Sequence, residues 1–335
     1  MTQSYTAQDL KSNVDVKWCA GCGDHAVLNA LQKAMPQCGV AIENIVVVSG
    51  IGCSSRLPYY MNTYGMHTIH GRASAIASGV KSANPELSVW QITGDGDCLA
   101  IGGNHFIHAV RRNIDINIIL FNNEIYGLTK GQYSPTSKKG QVTKTSPMGT
   151  IETPFNPGEL TLGCRGTFFA RAIDNNIALC TDVMIQAQNH KGTSVVEILQ
   201  NCVIFNNGAH EYFANRNEKD DRQVILEHGK PMIFGKNREK GLVLKGMELQ
   251  VVTIGESGIT ESDILIHDAH CSNTVIHNML ITMKAPNFPI ALGVIRDVED
   301  QTYDNALTEQ LEYAHQNSNI HSIEALFSSG EIWEI

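Results

Sequence analysis

Short apolar runs along the chain alternate with amphipathic stretches, and the alternation sets the expected architecture. Five runs read as strands: Asn44–Ser49, Ser88–Thr93, Ile116–Asn122, Thr167–Ile173 and Thr193–Leu199. Each is rich in apolar residues, as strands buried on both faces require. Between them Arg72–Ala83, Gly103–Arg112 and Asn176–His190 carry helical periodicity. Asn156-Pro157 starts another helix, with an Asn cap and Pro at the first turn. Strands alternating with helices predict an α/β fold, a largely parallel sheet flanked by helices.

Two stretches interrupt this rhythm. Residues 134–155, rich in Ser, Thr, Pro, Gly and Lys, read as a long surface loop. Residues 206–240 are polar and charged, with few periodic apolar positions. Beyond them lie a strand at Glu248–Ile254, a helix around Asn273–Met283 and a short strand at Ile290–Ile295. The expected division is a main domain over residues 1–250 and a C-terminal extension over 251–335, packed on that domain or on a partner.

Composition narrows the function. The chain has 335 residues, 42% hydrophobic and 18% charged, ordinary for a soluble domain with a sizeable core. A net charge of −9 argues against nucleic acid and anionic membranes as partners. No apolar run approaches the ~18 residues of a spanning helix. Met1–Tyr5 lack the pattern of a secretory signal, so a cytoplasmic location is expected. Nine cysteines, an odd number, do not form a complete disulfide framework. Cys38, Cys98, Cys164, Cys180 and Cys271 stand singly and read as small hydrophobes.

The first chemical signal is Gly94-Asp95-Gly96-Asp97 answered by Asn122-Asn123. Each ends a strand, and the 26 residues between Gly96 and Asn123 make one parallel crossover. Such a crossover delivers both ends to the same sheet edge, where α/β folds bind ligands. Asp95 and Asn123 offer hard oxygen donors suited to magnesium carrying phosphate. Gly96 permits close approach of the backbone, and the following helix start adds amide donors.

The second signal is Cys19-Ala20-Gly21-Cys22, with no second such pair in the chain. Cys53 and Cys202 follow strands and can complete a four-thiolate set at that edge. Three alternatives stay open on the residues alone: an iron–sulfur cluster, a zinc ion, or a redox dithiol at Cys19 and Cys22. Gly50-Ile51-Gly52 imitates half of a dinucleotide fingerprint, but Ser55 stands where the third glycine belongs, and that reading is set aside. His67, His105 and His108 read as structural, and His267-Asp268-Ala269-His270-Cys271 lacks the spacing of a metal site.

Taken together, WCAGCGDH, SGIGCSSRLPYY, HTIHGRA, ITGDGDCLAIGGNHFIHAVRRN, FNNEIYGLTKGQYSPT and LQNC resemble the β subunits of 2-oxoacid:ferredoxin oxidoreductases, over roughly residues 15–205. The resemblance implies thiamine diphosphate, Mg2+ and one [4Fe–4S] cluster, with coenzyme A as co-substrate and ferredoxin as electron acceptor. It implies that Cys19, Cys22, Cys53 and Cys202 ligate the cluster. Asp95, Asn123 and the carbonyl of Ile125 would hold magnesium, and Ile51, Gly52, Cys53, Ser54, His70, Gly96, Asp97, Gly127 and Leu128 would line the diphosphate site. An obligatory α subunit supplies the pyrimidine-binding domain in this family, so the active unit is αβ, doubled by symmetry. The reaction implied is oxidative decarboxylation of a 2-oxoacid. Lys130, in GLTKGQ, suggests 2-oxoglutarate, with its cation meeting a second carboxylate; Arg56 and Arg72 are alternative anion partners. Lys130 and His70 are thus the expected catalytic side chains. A non-redox decarboxylase subunit with structural zinc, and a noncatalytic nucleotide-binding module, are the competing classes.

Overall fold

The structure is a computed structural model that describes residues 5–331 and 333; Met1–Ser4 of the N-terminal reading lie outside the described residues. Eleven strands are formed among these: β1 Ile45–Ser49, β2 Tyr64–His67, β3 Ser88–Gly94, β4 Asn117–Asn122, β5 Phe168–Ile173, β6 Ser194–Leu199, β7 Gln223–Leu226, β8 Ile233–Phe234, β9 Lys240–Lys245, β10 Glu248–Thr253 and β11 Ile290–Asp297. Eight make one sheet in the order β2-β1-β3-β4-β6-β5-β11-β7. All its pairings are parallel except β5 with β11. The α/β class and the largely parallel sheet are as the apolar pattern predicts.

The alternation of side chains along each strand divides the core into two layers. On one face Val47, Ile92, Ile119, Phe121 and Val196 pack against the helices Asp24–Ala34 and Ile177–Asn189. On the other, Val48, Val89, Ile118, Leu120 and Val195 meet Phe106 and Val110 of helix Gly103–Arg112 and Ala77 of helix Ala73–Ala83. Phe106, Phe121 and Trp90 are fully buried, and each such side chain stabilises by roughly 1.5–3 kcal/mol.

Four neighbouring strands matter for function. β1, β3, β4 and β6 are adjacent and parallel, so the segments that follow them emerge on one edge. Those segments carry Cys53, Asp95, Asn123 and Cys202.

The stretch 206–240, whose few periodic apolar positions mark no strand, contains β7, paired with β11 in the main sheet, and β8 of a small antiparallel sheet β10-β9-β8. The expected division at residue 250 falls inside β10, and β11 lies between β5 and β7. Residues 134–155 are a correction of a different kind. Their start is not surface, since Ser134, Thr136 and Ser137 are buried beneath the sheet edge. Their hydroxyls are consumed by internal acceptors, which composition alone does not reveal.

Candidate functional site

Two cavities open along this edge. The first, about 500 Å³, is lined by Ile51, Gly52, Cys53 and Ser54 after β1, by His70, by Gly94–Asp97 after β3, and by Asn123 and Ile125–Thr129 after β4. The second, about 320 Å³, is lined by Cys19, Cys22, Cys53 and Cys202, with Asp24, Arg56, Lys130 and Gln200 around them. Cys53, Asn123, Gly127 and Leu128 belong to both walls.

Asp97 organises the first cavity. Its Oδ1 accepts from the backbone N–H groups of Ile51 at 3.0 Å and Gly71 at 2.7 Å, and from His70 Nδ1 at 2.7 Å. Its Oδ2 accepts from Thr93 Oγ1 at 2.7 Å. One buried carboxylate therefore ties together three segments of the edge. A side chain on Gly50 would run into this carboxylate, so only glycine fits there. A carboxylate acceptor places the ring proton of His70 on Nδ1 and leaves Nε2 free. Arg72 donates to the carbonyls of His70, Gly71 and Ile101, so it orders this turn.

Asp95 is 2% exposed. Ser134 Oγ and Thr136 Oγ1 both donate to its Oδ2, at 2.5 and 2.6 Å, which leaves Oδ1 for a cation. Burial pushes its carboxyl up to about 6, against the pull of those two hydroxyls. Asn123 Oδ1 faces the amide of Ile125 at 3.2 Å, and its Nδ2 donates to Gln200 Oε1 at 2.8 Å. Glu124 between them has φ 57, a left-handed conformation that bends the chain after β4. Ser137 Oγ holds the Glu124 carbonyl at 2.5 Å and Asn206 Nδ2 holds that of Asn123 at 2.8 Å. Beneath them, Glu197 pairs with Arg171 at 2.6 Å and accepts from Asn122 at 2.7 Å. Asp95, Asn123 and Ile125 line the first cavity, and a carboxylate, an amide oxygen and a carbonyl are the donor types magnesium takes. Gly96 packs against the Tyr126 ring, whose hydroxyl donates to the Gly96 carbonyl at 2.8 Å; any Cβ at Gly96 would overlap that ring.

The second cavity is built differently. Cys22 N–H donates to the Cys19 carbonyl at 3.1 Å across a turn with Gly21 at φ +80. Gly23 N–H donates to the Asn201 carbonyl at 3.2 Å, so the Cys19–Cys22 turn is tied to the segment that carries Cys202. Trp18 Nε1 donates to the Cys53 carbonyl at 2.6 Å, joining the N-terminal segment to the turn after β1. A Cβ on Gly127 would lie 3.5 Å from Cys202 Sγ and 3.7 Å from Cys53 Sγ, so this glycine is the thin wall between the two cavities. Burial, and then the Asp24 carboxylate, push both the Cys22 and Cys53 thiols up, Cys53 to about 12. Asp24 is itself buried with Oδ2 unpartnered, and burial raises it to about 7. Thiols so raised are neutral until a cation arrives to hold them as thiolates. Among the described residues no three His, Cys, Asp or Glu side chains are grouped tightly enough to hold a metal ion. Four thiols thus line one cavity, a donor set of the kind that zinc or an iron–sulfur cluster takes.

Lys130 lies on the rim of the thiol cavity, exposed and with φ 75, not on the wall of the first cavity. Among the other cysteines, Cys98 and Cys180 are buried as small hydrophobes. Gln200, Ser134, Thr136 and His210 also build the site without a signal in the sequence; the His210 ring donates from Nε2 to the Asn122 carbonyl at 2.9 Å. Ser134 and Thr136, in SPTSKK, have no local signal that distinguishes them from solvated loop residues.

A cavity flanked by an aspartate and an asparagine at neighbouring parallel strand ends is what a thiamine diphosphate enzyme is expected to show. Residues 50–198 match the family described as thiamine pyrophosphate enzyme, C-terminal TPP binding domain. The chain is 45% identical to the 2-oxoglutarate oxidoreductase subunit KorB of Mycobacterium tuberculosis, covering 99% of this chain and 89% of that one. It is 39% identical to the 2-oxoglutarate synthase subunit KorB of Methanothermobacter thermautotrophicus, over 71% and 81% of the two chains. Among solved structures it is similar to the 2-oxoglutarate:ferredoxin oxidoreductase from Magnetococcus marinus with 2-oxoglutarate, coenzyme A and succinyl-CoA bound. That match has a TM-score of 0.78 and 29% identity, covering 99% of this chain and 98% of the other. The chain belongs to the β subunits of the 2-oxoacid:ferredoxin oxidoreductases. No helix among the described residues is long and apolar enough to cross a membrane.

Proposed function

We propose that this chain, joined to an α subunit in the cytoplasm, converts 2-oxoglutarate and coenzyme A into succinyl-CoA and CO2, with two electrons passing one at a time to ferredoxin. The observation that carries the reading is the wall shared by the two cavities, where Cys53 lines both and Gly127 lies against the sulfurs of Cys53 and Cys202. Bound there, thiamine diphosphate would supply the electron sink for decarboxylation and a [4Fe–4S] cluster the one-electron relay.

The residues have separable tasks in this reading. Asp95, Asn123 and the Ile125 carbonyl hold Mg2+, while Gly96 and the turn Ile51–Ser54 receive the diphosphate. Cys19, Cys22, Cys53 and Cys202 hold the cluster. Asp97 fixes the His70 ring so that Nε2, the free nitrogen, faces the cavity as a proton carrier. Leu128, half-exposed, lines both cavities, and Lys130 on the rim of the thiol cavity meets the distal carboxylate of the substrate. The unit is αβ, doubled by symmetry.

Product analysis on the anaerobic αβ complex tests the reading. Succinyl-CoA formed in step with reduction of ferredoxin supports it. Aldehyde matching the CO2 released, with zinc in place of iron, would replace it with the non-redox class.

A further inference from the structure

Among the described residues Gln200 is the one side chain that bonds to both Asn123 and a cysteine of the second cavity. It follows β6 at the sheet edge and is fully buried. Its backbone N–H donates to the Asn122 carbonyl at 2.9 Å, which fixes its root on the neighbouring strand. Its Oε1 accepts from Asn123 Nδ2 at 2.8 Å. Its Nε2 donates to the Asn201 carbonyl at 2.6 Å and to Cys22 Sγ at 3.4 Å. The carboxamide is therefore committed in both directions, with no proton to exchange with substrate.

From this geometry we infer that Gln200 is a positioning residue that raises the reduction potential of the cluster and holds Asn123 ready for the metal. The inference rests on the cluster reading above and deepens it. A donor hydrogen bond to a ligating sulfur favours the more electron-rich reduced state, and so raises the potential. Gln200 donates to Cys22 with one end of its carboxamide and uses the other to orient the amide of Asn123. The same side chain thus carries a structural link from the magnesium site to the electron relay.

Two variants separate the two ends. Q200E keeps an acceptor for Asn123 but loses the donor to Cys22; Q200M, neutral and of similar length, loses both. In the αβ complex, redox titration followed by low-temperature EPR reads the potential, and calorimetry reads magnesium-dependent thiamine diphosphate binding. Q200E is expected to disfavour cluster reduction at least about tenfold, some 59 mV for a one-electron couple, with cofactor binding retained. Q200M is expected to lower the potential and also to weaken cofactor binding about tenfold. Variants that hold four irons per β chain and titrate at the wild-type potential would overturn the inference. So would loss of iron from both variants, since a residue that only tunes leaves the cluster in place. Wild-type complex without iron would overturn the cluster reading itself, and this inference with it.

Discussion

The two cavities on the sheet edge are prepared in opposite ways. In the diphosphate cavity the key carboxylates already have partners within the chain: Asp97 accepts four hydrogen bonds and Asp95 accepts two. In the thiol cavity, Cys22 and Cys53 are raised by burial and Asp24 Oδ2 has no partner. The first is preorganised by the fold, and on the proposed reading the second would be completed by the cluster it binds. A hard dication exchanging with solvent needs a rigid, prepaid cradle, whereas a covalently held cluster supplies its own rigidity.

That contrast can be broken from either side. The largest effect is expected for Cys22→Ser: iron is lost and 2-oxoacid-driven electron transfer falls to background, while calorimetric binding of magnesium and thiamine diphosphate is unchanged. If cofactor binding collapses too, the cavities are not independently prepared. Asp97→Ala is the opposite lesion. It leaves the amides of Ile51 and Gly71 and the Thr93 hydroxyl without their acceptor, and should cost about 3–5 kcal/mol in chemical denaturation. Lys130→Met should raise KM for 2-oxoglutarate about 10- to 150-fold, the value of one charge-assisted hydrogen bond, and leave KM for pyruvate unaltered. Equal losses for both acids would remove Lys130 from substrate choice.

Smaller effects sharpen the comparison. Thr136→Val removes one of the two hydroxyls on Asp95 and should weaken magnesium binding about tenfold in titration calorimetry. The pH dependence follows from the same carboxylate. Asp95 is raised from 3.8 to about 6, so without metal its contribution to stability is present below 3.8 and is lost as pH rises through about 6. Magnesium requires the ionised form, so its affinity should climb over that interval and level off above about 6. A flat profile from pH 5 to 7 would place the titrating group elsewhere.

Much of this edge was legible before the fold was known. Asp95 and Asn123 each close a run of apolar residues, and β3 and β4 end where those runs end. Cys53 and Cys202 likewise follow β1 and β6, so their arrival at one edge follows from parallel pairing alone. What escaped depends on contacts distant in sequence. Thr136 Oγ1 reaches Asp95 across 41 residues, and Gln200 reaches Cys22 across 178. No periodicity encodes such pairs. The strand β2 was missed because all four of its residues are exposed, so Tyr64–His67 shows no apolar run. Helix Asp24–Ala34 is a different case. Val27, Leu28, Ala30, Leu31 and Ala34 carry a helical stripe that follows directly on the cysteine turn.

The central claim is that electrons leave the substrate through a cluster held by Cys19, Cys22, Cys53 and Cys202. Low-temperature EPR of the anaerobic αβ complex, with iron and sulfide analysis, tests it most directly. About four irons per β chain, and a reduced-cluster signal that appears on adding 2-oxoglutarate and coenzyme A, is the predicted result. An iron-replete complex that turns over 2-oxoglutarate while its cluster never takes an electron would contradict the account.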